Sequence, residues 1–577
     1  MNILLTAINA KYIHSNLAVY SLRACAGEYR DTVELAEYTI NNQKDYILEE
    51  LYKKKPDVLC FSCYIWNIDY VTDIAREYKK LCPSVPIWVG GPEVSYEVEA
   101  FLRENPYIDG VMIGEGEDTF RELCGYYAHK RKLSDIAGIA FRKNSTDEIV
   151  FTSPRPIKNM SEIPFCYDTL DDFSNRIIYY ESSRGCPFSC SYCLSSVDKT
   201  LRFRDTEIVK RELKFFIDQK VPQIKFVDRT FNCNHAHAME LWRFIKANDN
   251  GVTNFHFEIS ADLLNQEELE LISDMRPGLI QLEIGVQSTN EVTIKEIHRA
   301  MKLERLKEVV RLIQRGNNIH EHLDLIAGLP YEDYDSFGRS FDEIYELKPN
   351  QLQLGFLKVL KGSYMFEHAA EYGIVYHDKP PYEVMSTKWL SFDDVIKIKR
   401  VEEMLEVYYN SGQFEITMKL MECIFDSAFE FFQELGDFYE ANGYFGMSHS
   451  RIRRCEILLE FLALYLHGCD SDDTDFDENA QLYSMIQESL IFDLYYRENC
   501  KSRPVWAADI GSFKHMTHAY CKNGKLSHVE PFHYIFPDKH TRKLDELPKY
   551  HKEPVWALFH YDMRDPLDHQ AMVEYIE

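Results

Sequence analysis

Over the first 125 residues, apolar runs of strand length alternate with segments in which apolar positions recur every three or four residues. Asn2–Ile8 is such a run, and Leu17–Tyr29 has helical spacing. Asp57–Cys63 reads as a second buried strand. Ile68–Leu81 reads as a helix that ends at Cys82-Pro83. Ile87–Val89 is a short strand stopped by Gly90-Gly91-Pro92. Asp109–Ile113 leads through Gly114-Glu115-Gly116-Glu117 into a helix from Thr119. Strands apolar on both faces and separated by helices predict a doubly wound parallel sheet. Ligands of such sheets bind beyond the carboxyl ends of the strands.

Residues 126–180 read as a connector, with a basic KRK, a polar turn at Lys143–Asp147 and prolines 154, 156 and 164. A second alternating region follows. Its strands are Ile177–Ser182, Gln223–Val227, Asn254–Ile259, Leu279–Gly285, His322–Ile326 and Gln351–Leu357, with amphipathic helices such as Lys302–Gln314 between them. Six units predict a partial (β/α)6 barrel whose chemistry belongs at the strand C-termini. Long helical runs, for example Arg451–Leu466, fill residues 390–500, and the last 75 residues mix short aromatic strands with charged turns. The predicted α/β architecture is a flavodoxin-like domain at 1–130, a linker at 131–176, a barrel at 177–365 and a mostly helical accessory domain at 366–577.

The chain has 577 residues, 45 % hydrophobic and 27 % charged, which excludes disorder as its main state. Its net charge of -28, from 65 Lys+Arg against 93 Asp+Glu, counts against a general nucleic-acid binder. No stretch reaches the roughly 18 apolar residues of a membrane span. The start, MNILLTAINAKY, lacks the basic region and long apolar run of a signal peptide. With 15 cysteines, mostly scattered, the expectation is a cytoplasmic protein with reduced thiols, free to hold metal.

The strongest local signal is Ser182-Ser183-Arg184-Gly185-Cys186-Pro187-Phe188-Ser189-Cys190-Ser191-Tyr192-Cys193, just after the first barrel strand. Three thiolates on one tight loop can converge on one inorganic cluster. A structural zinc site takes four protein ligands. A 4Fe–4S cluster held by three cysteines leaves one iron open. The alternatives are a zinc site completed by a distant Cys or His, and plain loop cysteines.

With this loop the chain resembles the radical S-adenosylmethionine (SAM) superfamily, whose mark is Cys-x3-Cys-x2-Cys with an aromatic, here Tyr192, before the third cysteine. The later strand ends fit in order: Phe226–Asn232, Glu258, Gly285-Val286-Gln287-Ser288 and Gly328-Leu329-Pro330. The resemblance covers about 180–360. It implies that Cys186, Cys190 and Cys193 ligate a 4Fe–4S cluster. It implies SAM contacts from Asp228 and Glu258, from Gln287 and Ser288 near the ribose and carboxylate, and from Ala327–Leu329, including Gly328, near the adenine. Arg299 resembles the helix residue that pairs with the SAM carboxylate. For Asp228 and Glu258 the bland reading is a solvated or salt-bridged strand end, and for Arg299 a helix-surface charge.

The first region has no G-x-G-x-x-G after its first strand, so a dinucleotide by that route is not expected. It resembles the cobalamin-binding domain that precedes many radical SAM domains. The matching pieces are Asn9-Ala10-Lys11-Tyr12-Ile13-His14-Ser15, Ser62-Cys63-Tyr64, Gly90-Gly91-Pro92-Glu93 and Gly114-Glu115-Gly116-Glu117. Glycines at strand ends admit a bulky ligand, and Ser62 can bond a nucleotide tail. The resemblance places Asn9, Tyr12, Ser62, Tyr64, Gly90, Gly91, Gly114, Glu115 and Gly116 at the cofactor; a flavodoxin-like domain without corrin is the alternative. The Asp-x-His-x-x-Gly run of methionine-synthase-type domains is missing. Two residues before His14 stands Tyr12 and three after it Leu17. Base-off cobalamin without a His ligand is therefore implied, with His14 as a loop hydrogen-bonder or a ligand.

Weaker clusters are read blandly. Asn234 is expected to cap a helix with His235 and His237 in its exposed first turn. Asp470–Glu478 is expected to be a solvated acidic loop rather than a calcium site. Cys423, Cys455, Cys469, Cys500 and Cys521 are expected as core thiols. Tyr408, Tyr409, Phe429, Phe431 and Phe432 are expected in helix cores. The resemblance implies reductive cleavage of SAM to a 5′-deoxyadenosyl radical, methyl transfer to an unactivated carbon, and a flavodoxin or ferredoxin-type electron donor. The substrate is expected to be a small molecule. Non-methylating cyclisation or ring rearrangement, and an iron–sulfur sensor that only binds corrin, are the other readings.

Overall fold

The structure is a computed structural model that describes residues 1–143, 148–468, 475–509, 511, 514–521, 526–537, 541–544 and 546–576. The polar turn at 144–147, Cys469 and the acidic run from Asp470 to Thr474 lie outside the described residues. The chain divides into two compact units. The first holds Met1–Ile284, Ile294–Leu306 and Phe356–Lys388; the second holds Gly285–Thr293, Lys307–Gly355 and Trp389–Glu577.

In the first unit a seven-stranded sheet is built from β1 (Ile3–Asn9), β2 (Val33–Thr39), β3 (Val58–Ser62), β4 (Ile87–Gly90), β5 (Gly110–Met112), β6 (Ile139–Arg142) and β7 (Ile149–Phe151). Its order is β2-β1-β3-β4-β5-β6-β7, parallel through β5 and antiparallel for the last two strands. Every residue of β1 and β3 is buried, as the two-sided apolar runs require. The order 2-1-3 makes the gap between the ends of β1 and β3 the topological switch point. Three findings depart from the sequence reading. The edge strand β2 was not expected, because its Glu34 and Glu37 break the apolar run. The segment read as a connector supplies β6 and β7. The helix expected over 17–29 ends at Cys25 and continues as a 3-10 turn over Gly27–Thr32.

Four further strands form parallel pairs in sequence order: β8 (Ile178–Tyr180), β9 (Gln223–Phe226), β10 (Asn254–Ile259) and β11 (Ile280–Gln287), the last belonging to this unit only through Ile284. Helices Thr206–Asp218, His235–Ala247 and Gln266–Ser273 alternate with them. Two more strands, His320–Ala327 and Gln351–Phe356, continue the strand–helix alternation, so the mixed α/β class with a central set of six strand–helix units is observed. The second unit is mostly helical beyond Trp389, with helices Phe392–Leu405, Glu415–Ile424, Ala428–Ala441, Arg451–Gly468 and Asp475–Arg497. It ends in an antiparallel sheet of Ser527–Tyr534, Tyr550–Arg564 and Ala571–Ile576. Tyr408, Phe429, Phe431 and Phe432 are buried there, as expected of helix-core aromatics. Cys455 is buried, but Cys423 is exposed and Cys500 and Cys521 are half-buried, so a core role fails for Cys423.

Arg204 and Glu212 form an ion pair at 2.6 Å in which each side chain is only 6 % exposed, and Tyr180 donates to Glu212 at 2.6 Å. A buried charge that loses its partner is costly. Arg204→Ala is therefore expected to destabilise the protein by about 3–5 kcal/mol, read as a lower urea midpoint. A midpoint equal to wild type would show that solvent reaches Glu212.

Candidate active site

A cavity of about 820 Å³ opens in the first unit at the switch point of the seven-stranded sheet. The ends of β1, β3 and β4 line it through Asn9, Ser62, Tyr64, Gly90 and Gly91, and the loop after β5 lines it through Gly114, Glu115 and Gly116. Facing side chains come from the second set of strands, among them Tyr179, Glu181, Lys225, Arg229 and Glu258. Residues Met160 and Ile163–Tyr167, within the segment read as a connector, also line it. No hydrophobic period marks that stretch, which is why the sequence reading missed it.

Buried amides hold the strand ends open. Asn67 donates to Ile8 O at 3.0 Å and Ser62 O at 2.9 Å, and accepts from Tyr64 N at 2.8 Å. Asn16 caps the first helix and donates to Ser62 Oγ at 3.3 Å. Asn9 donates to Glu37 at 2.9 Å, and Glu37 is clamped by Arg176 at 2.8 Å. Gly91 has φ +122, and a Cβ there would lie 2.4 Å from Cys63 O, so no side chain fits this crossing. His14 shares a hydrogen bond of 2.7 Å with the Tyr179 hydroxyl, the bland member of its two readings.

One expected contact is corrected. Tyr12 is 69 % exposed and does not line the cavity: the turn closes by His14 N donating to Lys11 O at 3.2 Å, which leaves the ring outside, near the Arg176 guanidinium. Glu115 lines the cavity as expected and is held by protein as well, meeting Arg202 at 2.5 Å and Arg184 at 3.4 Å and accepting from Lys158 N at 3.0 Å.

The cysteine loop is anchored through its backbone. Cys186 N donates to Asp198 O at 3.3 Å, Ser191 N to Ile297 O at 2.9 Å, Cys193 N to Cys190 O at 3.1 Å, and Met365 N to Ser191 O at 2.9 Å. Cys186 and Cys190 are each 8 % exposed, and Cys193 is half-buried. Arg299 is not the surface charge of the bland reading. Its Nη1 lies 3.8 Å from Cys190 Sγ and 3.2 Å from the Tyr192 hydroxyl. Burial pushes the Cys190 thiol up, and the Arg299 charge opposes that. Among the described residues no three Cys, His, Asp or Glu groups converge as ligands of a single ion. A cluster instead takes one thiolate at each of three irons. The donor set and its charge compensation fit such a cluster, and the glycine-edged cavity fits a bulky planar ligand.

Asp228 stands apart from this cavity. It is fully buried and does not line the cavity. It accepts from Ser182 N at 2.9 Å, Ser182 Oγ at 2.7 Å and Ser183 Oγ at 2.5 Å, so its acceptor sites fix the entry to the cysteine loop. His237 completes this chain at 3.0 Å from Ser182 Oγ. Asn234 does cap the following helix, but His237 is buried rather than exposed, and burial lowers its pKa to about 4. In the second unit Ser288 donates to the buried carboxylate of Glu332 at 2.6 Å. Gln287 holds φ +77 with its side-chain oxygen buried and unpartnered, a strained position of the kind found at ligand sites. Gly328 is buried in that unit.

Glu258 is half-buried on the cavity wall, and burial raises its pKa to about 7; Arg229 and Lys225 oppose the shift, and Glu283 and Asp228 add to it. The folded state therefore holds this proton more tightly than the unfolded state does. Stability contributed by the protonated form is lost as pH rises from about 4.5 to about 7. For the cofactor-free protein, Glu258→Gln is expected to abolish a pH-dependent loss on the order of 2–3 kcal/mol between pH 5 and 8. Parallel urea midpoints for the two proteins over that range would contradict this.

Comparison with known proteins places these features. The B12 binding domain profile matches residues 3–124, the Radical SAM superfamily profile residues 180–344, and a protein of unknown function, DUF4080, residues 370–572. The cobalamin-dependent radical SAM methyltransferase TokK of Streptomyces tokunonensis is 28 % identical over 56 % of this chain and 49 % of its own length. An anaerobic magnesium-protoporphyrin IX monomethyl ester cyclase of Rubrivivax gelatinosus is 22 % identical over 56 % of this chain and 60 % of its own. The chain thus spans about half the length of these curated relatives. The structure of the cobalamin-dependent SAM radical enzyme OxsB, with aqua-cobalamin and SAM bound, shares the fold over 85 % of this chain and 80 % of its own, at a TM-score of 0.59 and 16 % identity. No helix among the described residues is long and apolar enough to cross a membrane. The anchored cysteine loop beside a cavity at a sheet switch point accordingly belongs to a chain that joins a B12-binding domain and a Radical SAM superfamily domain to a C-terminal DUF4080 region.

Proposed function

We propose that the protein is a cobalamin-dependent radical SAM enzyme that transfers a methyl group to an unactivated carbon of a small molecule. The observation that carries this reading is the anchored loop of Cys186, Cys190 and Cys193, in the same compact unit as a glycine-edged cavity. In this reading residues 1–130 take the corrin, 177–365 the cluster and SAM, and 366–577 form an accessory domain. When bound, the cluster and the corrin supply reductive SAM cleavage and a methyl carrier respectively.

The chain's own residues position and exclude water. The three cysteines would hold the cluster, and Arg299 and Tyr192 would balance the charge at Cys190. Gly90, Gly91, Gly114 and Gly116 would admit the corrin, with Ser62 and Asn9 at its polar edge. Gln287 would turn its unpartnered oxygen to SAM. Glu258 would present a carboxyl group to SAM or substrate from the wall of the cavity. A low-potential donor of the flavodoxin or ferredoxin type would supply electrons from the cytoplasm.

The cyclase among the relatives supports a second outcome, ring closure without net methylation. Methyl-deuterated SAM separates the two. Incubation of reconstituted enzyme with a cell extract is expected to yield a product carrying the labelled methyl. A product without the label, formed together with 5′-deoxyadenosine, would replace methyl transfer by cyclisation or rearrangement.

A further inference from the structure

Arg184 opens the cysteine loop, two residues before Cys186, and its guanidinium is held by Glu181 nearby and by two carboxylates far from it in sequence. Its Nη2 meets Glu117 at 2.8 Å and Glu181 at 2.8 Å, its Nε meets Glu181 at 3.0 Å, and its Nη1 meets Glu115 at 3.4 Å. Glu115 reaches the loop a second way. It pairs with Arg202 at 2.5 Å, Arg202 pairs with Asp198 at 2.8 Å, and the carbonyl of Asp198 accepts from Cys186 N at 3.3 Å. Cys186 is therefore framed from both sides by the segment Gly114-Glu115-Gly116-Glu117 that follows β5. All four residues of that segment line the cavity, as do Arg184 and Asp198.

Three carboxylates share one guanidinium here, and Glu117 is only 5 % exposed. Such an arrangement is held by geometry as much as by charge. A planar fork holds several carboxylates in fixed directions, which an ammonium on a flexible stem does not enforce. Removing the guanidinium would leave Glu117 buried without its partner, and the loop would have to move to let water in. A ligand pressing on Gly114–Glu117 acts on the same groups.

We propose that Arg184, paired with Glu115 and Glu117, is a positioning residue that registers the cysteine loop against the Gly114–Glu117 loop, so that corrin occupancy of the cavity is felt at Cys186. This inference rests on the function proposed above. It adds to it a mechanical link between the two cofactor sites, made by this chain's own ion pairs.

The test uses full-length protein reconstituted anaerobically with iron and sulfide, as wild type, Arg184→Lys, Arg184→Gln, Glu117→Gln and the Arg184→Gln/Glu117→Gln double variant. Hydroxocobalamin is titrated into each, and Mössbauer spectra of the cluster iron are recorded with and without it; the corrin's cobalt does not contribute to them. Wild type is expected to show a cobalamin-dependent change in the iron spectrum. Arg184→Gln and Glu117→Gln are expected to lose that change at unaltered iron content and to bind hydroxocobalamin about tenfold more weakly, with the double variant no weaker than either single one. Arg184→Lys is expected to keep the charge without restoring the spectral change.

A merely structural role would lower yield or iron content and leave the cobalamin-dependent change in whatever protein remained; that result overturns the proposal, as do additive losses in the double variant. Should Arg184→Gln not fold, Glu117→Gln carries the test, because it leaves Arg184 its other carboxylates. Wild type that loads neither iron nor corrin refutes the proposed function and this inference with it. Wild type that loads both, with no spectral response or with variants that match it, refutes the coupling alone.

Discussion

Cys186→Ala is expected to abolish SAM cleavage and strip the cluster. Losing even a hydrogen-bonding neighbour of a metal ligand costs about 10–100-fold in affinity or activity, and losing one of three ligands costs more. The open iron that would bind SAM depends on the other three corners being held, so no residual 5′-deoxyadenosine is expected. The fold should survive. Cys186 donates no side-chain bond stronger than a contact of 3.7 Å with Thr230 Oγ1, and its backbone bond to Asp198 O remains. Iron analysis, visible absorbance and nucleoside chromatography read the three consequences separately. Cleavage retained at wild-type rate would show that the loop does not carry the cluster.

The second large effect concerns the cavity. Gly114 lies on its wall, and a Cβ built there has nothing within 4 Å. Gly114→Leu would place a branched side chain in that open space. Its backbone has φ +76, so any side chain also pays a left-handed strain of about 1–2 kcal/mol. Gly114→Ala carries the same strain with little volume and separates the two effects. Gly114→Leu is expected to lose hydroxocobalamin on gel filtration, weakened at least tenfold, or about 1.4 kcal/mol, while Gly114→Ala retains it. Iron content should be equal in both. Retention of corrin by the leucine variant would place the corrin elsewhere.

The parts of the molecule legible in the sequence are those whose physics is local. β1 and β3 are buried on both faces, so their apolar runs announce them. The three cysteines are read from spacing because a loop brings near neighbours together. β2 hides because it is an edge strand with charged residues on it, and β6 and β7 because they are short and follow a proline-poor, polar stretch. Asp228 follows β9 where the sequence puts it, but its serine partners are not legible there. Its burial under Ser182 and Ser183 depends on a pairing 45 to 46 residues apart in the chain. Arg184 with Glu117 is the same kind of case, at 67 residues. Tyr12 is exposed although its neighbours Asn9 and His14 line the cavity, and spacing alone does not show which residue of a turn faces inward.

The central claim is that three thiolates hold an iron–sulfur cluster with one iron left for SAM, alongside a bound corrin. The most direct measurement is anaerobic reconstitution of the full chain with iron, sulfide and hydroxocobalamin, followed by addition of reductant and SAM. The account predicts cluster iron, co-eluting corrin and formation of 5′-deoxyadenosine. Zinc at the cysteines, or iron and corrin bound without any SAM cleavage, would contradict it.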